Sequence, residues 1–299
     1  MDFPAGHGAD RLWRFVFEDT PVRGSLVQLG SGWRDLLVHR HYPPPLQRLL
    51  GEALAAGPLL ASQLKFDGQL SLQGEGDGWV KLLLVQVTNT LEVRGVVRHA
   101  GGREGDGQSV SALLGKGRLG LIIEPSRGQR YQGLVPLAGT RLAESLQAYF
   151  ERSEQLPSWL LLAADEERAA GLLLQRLPGS DEGEDADEGW KVARLLAQTL
   201  SERELLELPG PEVLRRLYHA NRLRLFEAEP VAVRCRCSHA RTSELLLGLG
   251  AIEVRGILKE QGKVEIECGF CGQQYVYYRT EIEQLFAASD AKPESGSRH

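Results

Sequence analysis

The chain has 299 residues and is 42% hydrophobic, enough for about two domains with buried cores, which excludes an intrinsically disordered protein. Lys plus Arg number 35 against 40 Asp plus Glu, and the net charge of -5 is spread along the chain. No basic block of the kind that binds nucleic acid or an anionic membrane is present. No stretch approaches the ~18 apolar residues of a membrane span, and residues 1–7 carry neither a basic nor an apolar leader segment, so a cytoplasmic protein is expected.

In chain order, residues 10–178 read as one α+β domain. Residues 14–17 and 22–29 have strand composition, and residues 45–64 carry Leu46, Leu49, Leu50 and Leu54 at helical spacing. Residues 66–70 contain an Asp-Gly turn signal at Asp67-Gly68. Strands then dominate, at 79–87, 91–98, 119–123 and 131–137. A helix over about 140–153 follows. Residues 159–163 and 171–175 are expected to close the domain as a hairpin across the charged turn 165–168.

Residues 178–189 mark the clearest boundary. The run 181–188 is Asp-Glu-Gly-Glu-Asp-Ala-Asp-Glu, which has nothing to bury and reads as a solvated linker. It lacks the ligand spacing and closing Glu of a calcium loop. Residues 190–208 are helical in pattern, with Ser201 and Glu204 spaced as a capping box, and Pro209-Gly210-Pro211 breaks the run. Residues 211–219 form a further helix, with Val213, Leu214, Leu217 and Tyr218 on one side, and 223–226 a short strand. A helical connector thus joins the first domain to the last part of the chain.

All four cysteines lie in that last part, about 231–288. There, 243–249 is a short apolar helix, 264–267 and 275–278 can pair as strands, and Thr280 with Glu283 is expected to cap a final helix. The last ten residues read as a disordered tail. Cys235-Arg236-Cys237 and Cys268-Gly269-Phe270-Cys271 form two close pairs, which in a chain of this class points to metal ligation or redox chemistry rather than to a disulfide scaffold. Each pair can supply two thiolates to one tetrahedral zinc ion, a closed structural site. His239 is nearby, but four thiols already suffice. Metal binding also keeps the sulfurs as thiolates, the form that oxidants attack, and about sixty residues make a poor core alone. Structural zinc contributes ~10 to 16 kcal/mol of folding free energy in peptides, so oxidation is expected to eject the metal and unfold the segment. Each pair is close enough in sequence to close on itself, Cys235 with Cys237 and Cys268 with Cys271.

The strings Cys235-Arg236-Cys237-Ser238 with Arg241, and Glu267-Cys268-Gly269-Phe270-Cys271-Gly272 with Tyr275, resemble the heat-shock protein 33 family of bacterial redox-regulated holdase chaperones. Weaker matches extend upstream: 214–219 (Leu-Arg-Arg-Leu-Tyr-His), 153–157 (Ser-Glu-Gln-Leu-Pro), 131–137 (Tyr-Gln-Gly-Leu-Val-Pro-Leu), Phe17-Glu18-Asp19 and Val22-Arg23-Gly24. The resemblance covers nearly the whole chain, the acidic run 181–188 excepted. It implies an α+β fold in four parts. Residues 1–178 would form a mixed β-sheet domain with helices that binds clients and dimerises, and 179–230 an acidic linker and helical connector. Residues 231–289 would form a small four-cysteine zinc domain, and 290–299 a tail. The implied protein is not an enzyme but an ATP-independent holdase for unfolding and oxidatively damaged proteins under stress. It would be inactive with one zinc per reduced chain. Formation of two disulfides would release the zinc, unfold the zinc domain and connector, and favour a homodimer.

Other signals are weaker. The formal G-x-G-x-x-G from Gly115 to Gly120 leads into a strand rather than the helix a dinucleotide site requires. Residues 101–105 read as a surface loop, and no G-x-S-x-G nucleophile is present. A zinc ribbon for nucleic acid is a competing reading, but residues 231–288 balance seven Lys or Arg against seven acids, not a basic footprint. A thiol-disulfide oxidoreductase would place its C-x-x-C at a helix start in a βαβ context, which is not apparent here.

Overall fold

The computed structural model describes residues 10–64, 66–101, 109–137, 139–178 and 184–290. The chain divides into two compact units, one ending at Arg234 and one beginning at Cys235. In the first unit β1 (Arg11–Phe17) and β2 (Val22–Leu29) are followed by α1 (Ser31–Val38) and α2 (Pro44–Ala61). Next come β3 (Gly68–Glu75), β4 (Val80–Thr88), β5 (Glu92–His99), α3 (Val110–Leu114), β6 (Arg118–Pro125) and β7 (Tyr131–Pro136). Then follow α4 (Leu142–Tyr149), a π-helical turn at Phe150–Glu154, β8 (Ser158–Ala164) and β9 (Ala169–Arg176). Helices α5 (Glu184–Gln198), α6 (Glu202–Glu207) and α7 (Gly210–Tyr218) precede the short strands β10 (Leu223–Leu225), β11 (Glu229–Pro230) and β12 (Ala232–Val233).

Two sheets share one helix. The first has the order β10-β1-β2-β9-β8 with β11 also on β1, and the second β12-β5-β4-β3-β6-β7. From Leu49 onward helix α2 is buried on every side, and Glu52 is the one charged side chain in that stretch. It lies against β2, β8 and β9 of one sheet and β3, β4 and β5 of the other, and Leu46, Leu50, Leu54 and Leu59 are wholly buried. Small residues set the spacing: a Cβ at Gly51 would stand 2.4 Å from the Cβ of Ala164. A Gly51→Ala substitution is expected to destabilise the first unit by about 1–3 kcal/mol through overpacking, read as a lower denaturant midpoint at unchanged slope.

The first sheet is covered on its other face too, which explains why residues 169–174 of β9 read as an unbroken apolar run rather than an alternation. Phe15, Phe17, Leu26 and Leu172 pack there against Ala193, Leu205, Val213 and Tyr218 of α5, α6 and α7. Polar contacts fix α6 at both ends. At its start Glu202 pairs with Arg48 of α2 at 2.8 Å and with Arg141, next to α4, while Arg48 also holds the buried Glu52 at 2.9 Å. At its end Gln28 donates to the carbonyls of Leu205 and Leu208, and Arg168 to those of Leu206 and Glu207.

The mixed α+β class and most strands stand as the sequence suggests, with several corrections. The Asp67-Gly68 turn signal stands at the start of a strand that was not anticipated, Gly68–Glu75, paired with β4 and β6. The hairpin β8–β9 forms across 165–168, with Asp165 N–H donating to the Arg168 carbonyl, but β9 lies inside its sheet, paired also to β2. Residues 184–189, assigned to the linker, are the first turns of α5, where clustered acids favour the positive end of the helix dipole. Residues 179–183 of that linker, 102–105 of the glycine loop and 291–299 of the tail lie outside the described residues. Gly115 ends α3 at a positive φ of 66° and the chain goes straight into β6. Helices α1 and α3 were not anticipated. The cap of α1 comes from far away, the Asp10 carboxylate accepting from the N–H groups of Gly30 and Gly32, and a local pattern cannot show that.

Candidate metal centre

The second unit contains α8 (His239–Leu249), α9 (Ala251–Gln261), the hairpin of β13 (Val264–Glu267) and β14 (Gln274–Tyr277), and α10 (Arg279–Asp290). Its core is small: Leu246, Val254, Leu258, Val264, Tyr277, Ile282 and Phe286. Helix α9 was not anticipated, although Val254 and Leu258 have helical spacing. The expected Thr280–Glu283 box is not the cap observed. Glu281 accepts from the Tyr278 N–H at 3.0 Å, two positions earlier, and Glu283 pairs with Arg255 at 2.7 Å.

Local structure aims the four sulfurs at one point. Cys235 and Cys237 lie on the segment entering α8, where Ser238 caps the helix by accepting from the Arg241 N–H and the Arg241 guanidinium donates to the Arg236 carbonyl at 2.6 Å. Cys268 and Cys271 lie in the turn between β13 and β14. The Cys268 N–H donates to the Gln273 carbonyl and the Gly272 N–H to the Cys268 carbonyl. Gly272 takes a φ of 77°, which a side chain would disfavour. The Tyr277 hydroxyl, buried beside Thr242, donates to the His239 carbonyl and ties the hairpin to α8.

All four sulfurs lie within 4.8 Å of one another. Two contacts run between the pairs, Cys235 to Cys268 at 3.5 Å and Cys237 to Cys271 at 3.4 Å. Zinc–sulfur bonds of about 2.3 Å give a tetrahedron with edges of roughly 3.8 Å, so the set fits one tetrahedral ion. Backbone N–H groups are directed at the sulfurs: that of Cys237 at Cys235, those of Cys271 and Phe270 at Cys268, and that of Gln273 at Cys271. Burial would raise the Cys268 thiol, but those amides and the neighbouring thiols bring it down to about 7. Burial and the neighbouring thiols hold Cys235 and Cys271 above the ordinary thiol range. Tyr275, quoted above only as part of a motif, donates its hydroxyl to the Cys237 sulfur at 3.2 Å. His239 lies outside the sulfur group, its ring 4.6 Å from that of Tyr277.

Fold and site together define a mixed α+β protein whose last unit is built around a four-thiol centre able to hold a metal ion. The chain belongs to the Hsp33 family: the family model described as Hsp33 protein matches residues 10–278. The 33 kDa chaperonin of Nitrosococcus oceani is 44% identical over 290 residues, covering 97% of this chain and 99% of that protein. That of Ectopseudomonas mendocina is 43% identical over 289 residues, covering 96% and 98%. The crystal structure of the 33 kDa chaperonin from Thermotoga maritima shares the fold, with a TM-score of 0.77 at 24% identity, covering 94% of this chain and 99% of that one. Family membership supports a chaperone function. No helix among the described residues is long and apolar enough to cross a membrane.

Proposed function

We propose that this protein is a redox-regulated, ATP-independent holdase that acts by binding rather than by turnover. Cys235, Cys237, Cys268 and Cys271 hold one zinc ion in the reduced, inactive form. Residues 1–178 bind unfolded clients, 179–230 form the linker and connector, 231–289 are the switch and 290–299 a tail. The observation that carries this reading is the convergence of four thiols in a unit with a seven-residue core, in a chain of this family.

Bound zinc would keep the four sulfurs as thiolates and cross-link the C-x-C segment to the hairpin. Peroxide consumes that cross-link: two thiolates give two electrons to one hydrogen peroxide, which with two protons becomes two waters, and one disulfide forms. Two such events convert all four sulfurs. The proposed disulfides are Cys235 with Cys237 and Cys268 with Cys271, partners close in sequence within a cluster whose four sulfurs all lie within 4.8 Å of one another. The connector then loses its dock, apolar surface is exposed, and a homodimer is favoured in a cytoplasmic protein that engages neither nucleic acid nor membrane.

Peroxide treatment in the presence of a chromogenic chelator, with light scattering of a thermally unfolding client followed in parallel, is the test. About one zinc per chain is expected to leave, and aggregation to fall on the same time course. Zinc release without suppression of aggregation would reduce the centre to a structural staple.

A further inference from the structure

We propose that Tyr275 is a positioning residue of the switch, whose hydroxyl holds back the Cys237 thiolate; the inference rests on the zinc reading above. Backbone N–H groups from the turns are directed at Cys235, Cys268 and Cys271. Cys237 receives a side-chain donor, the Tyr275 hydroxyl at 3.2 Å. Tyr275 is positioned for this by β14, where it pairs with Ile266 of β13, and its ring packs edge-on to His239 and against the core of the second unit.

A donor at a thiolate draws electron density from sulfur. That weakens its attack on an electrophile and favours the charged, metal-bound form. Outer-shell donors of this type typically change metal affinity by about 10- to 100-fold. Tyr275 therefore sets how readily Cys237 reacts. A backbone donor cannot be removed by substitution, whereas this hydroxyl can, so sequence change at position 275 can tune the reactivity of Cys237.

The test uses the full chain, zinc-loaded and reduced, with Tyr275→Phe, which keeps the ring and removes only the hydroxyl. Iodoacetamide labelling followed by peptide mapping should show Cys237 modified about tenfold faster relative to Cys268 than in the unsubstituted chain. A chelator should extract zinc at about tenfold lower concentration. Tyr277→Phe is the control: it removes bonds to Thr242 and the His239 carbonyl but none to sulfur. It should lower the melting temperature without changing the Cys237-to-Cys268 ratio. An unchanged ratio in Tyr275→Phe, or an equal acceleration at all four cysteines, overturns the assignment. The ratio is measured before any oxidation and without a client. Failure of the holdase reading, seen as zinc loss without aggregation suppression, is thus separate from failure of the Tyr275 assignment.

Discussion

A Cys268→Ser chain is expected to lose the folded second unit while α2 and both sheets of the first unit stay intact. The reason is the balance within the second unit. Seven buried apolar side chains make up its core, whereas structural zinc supplies ~10 to 16 kcal/mol to units of this size. Removing one of four thiolates opens the tetrahedron and leaves three sulfurs with no closed site. Hydrogen exchange followed by peptide mapping reads the outcome: amides of α8, α9 and α10 should exchange within the dead time, while those of α2 keep their protection. Protected amides in α8 to α10 of the variant would mean that the core stands without the metal.

The second large effect is expected from Tyr218→Ala in the reduced, metal-loaded chain. Tyr218 is 2% exposed. Its ring meets that of Phe17 edge-on at 4.9 Å and lies 6.2 Å from that of Phe15, and its hydroxyl donates to the Ala193 carbonyl of α5. One side chain therefore ties α7 to the sheet and to α5 at once. Truncating a buried aromatic of this kind typically costs about 3–5 kcal/mol, a large share of what can hold three short helices on a surface. Residues 184–218 should become protease-sensitive and, on the holdase reading, aggregation should be suppressed without peroxide. If the connector stays protected and the chain gains activity only on oxidation, docking does not depend on this contact. The ion pairs of Glu202 with Arg48 and Arg141 contribute less per bond, because each partner keeps some solvent.

What the sequence revealed and what it hid follow from the range of the interactions. The four thiols and the helix α2 were legible because a close cysteine pair and leucines at helical spacing are local patterns. The continuous apolar run at β9 and the capping box of Ser201 with Glu204 are equally local, and the box is formed. Helix α1 escaped because its cap, Asp10, lies twenty residues away from Gly30. Strand β3 escaped because Gln69, Ser71, Gln73 and Glu75 interrupt the apolar pattern of Leu70 and Leu72. The role of Tyr275 was invisible for the same reason: only the register of the β13–β14 hairpin brings it to a cysteine thirty-eight residues earlier.

The strand order also dictates when the first unit can be completed during synthesis. β1 pairs with β2 close by, but also with β10 and β11, from a segment made some two hundred residues later, and β2 waits for β9. β12, the last strand before Cys235, closes onto β5 in parallel. A nascent chain therefore carries the apolar residues of α2 with β2 open on one side until β9 emerges from the ribosome, β1 until β10 and β11 follow, and β5 until β12. Such distant pairings fold slowly. A protein of a chaperone family is, in its own biosynthesis, among the chains most in need of a partner that covers exposed apolar surface.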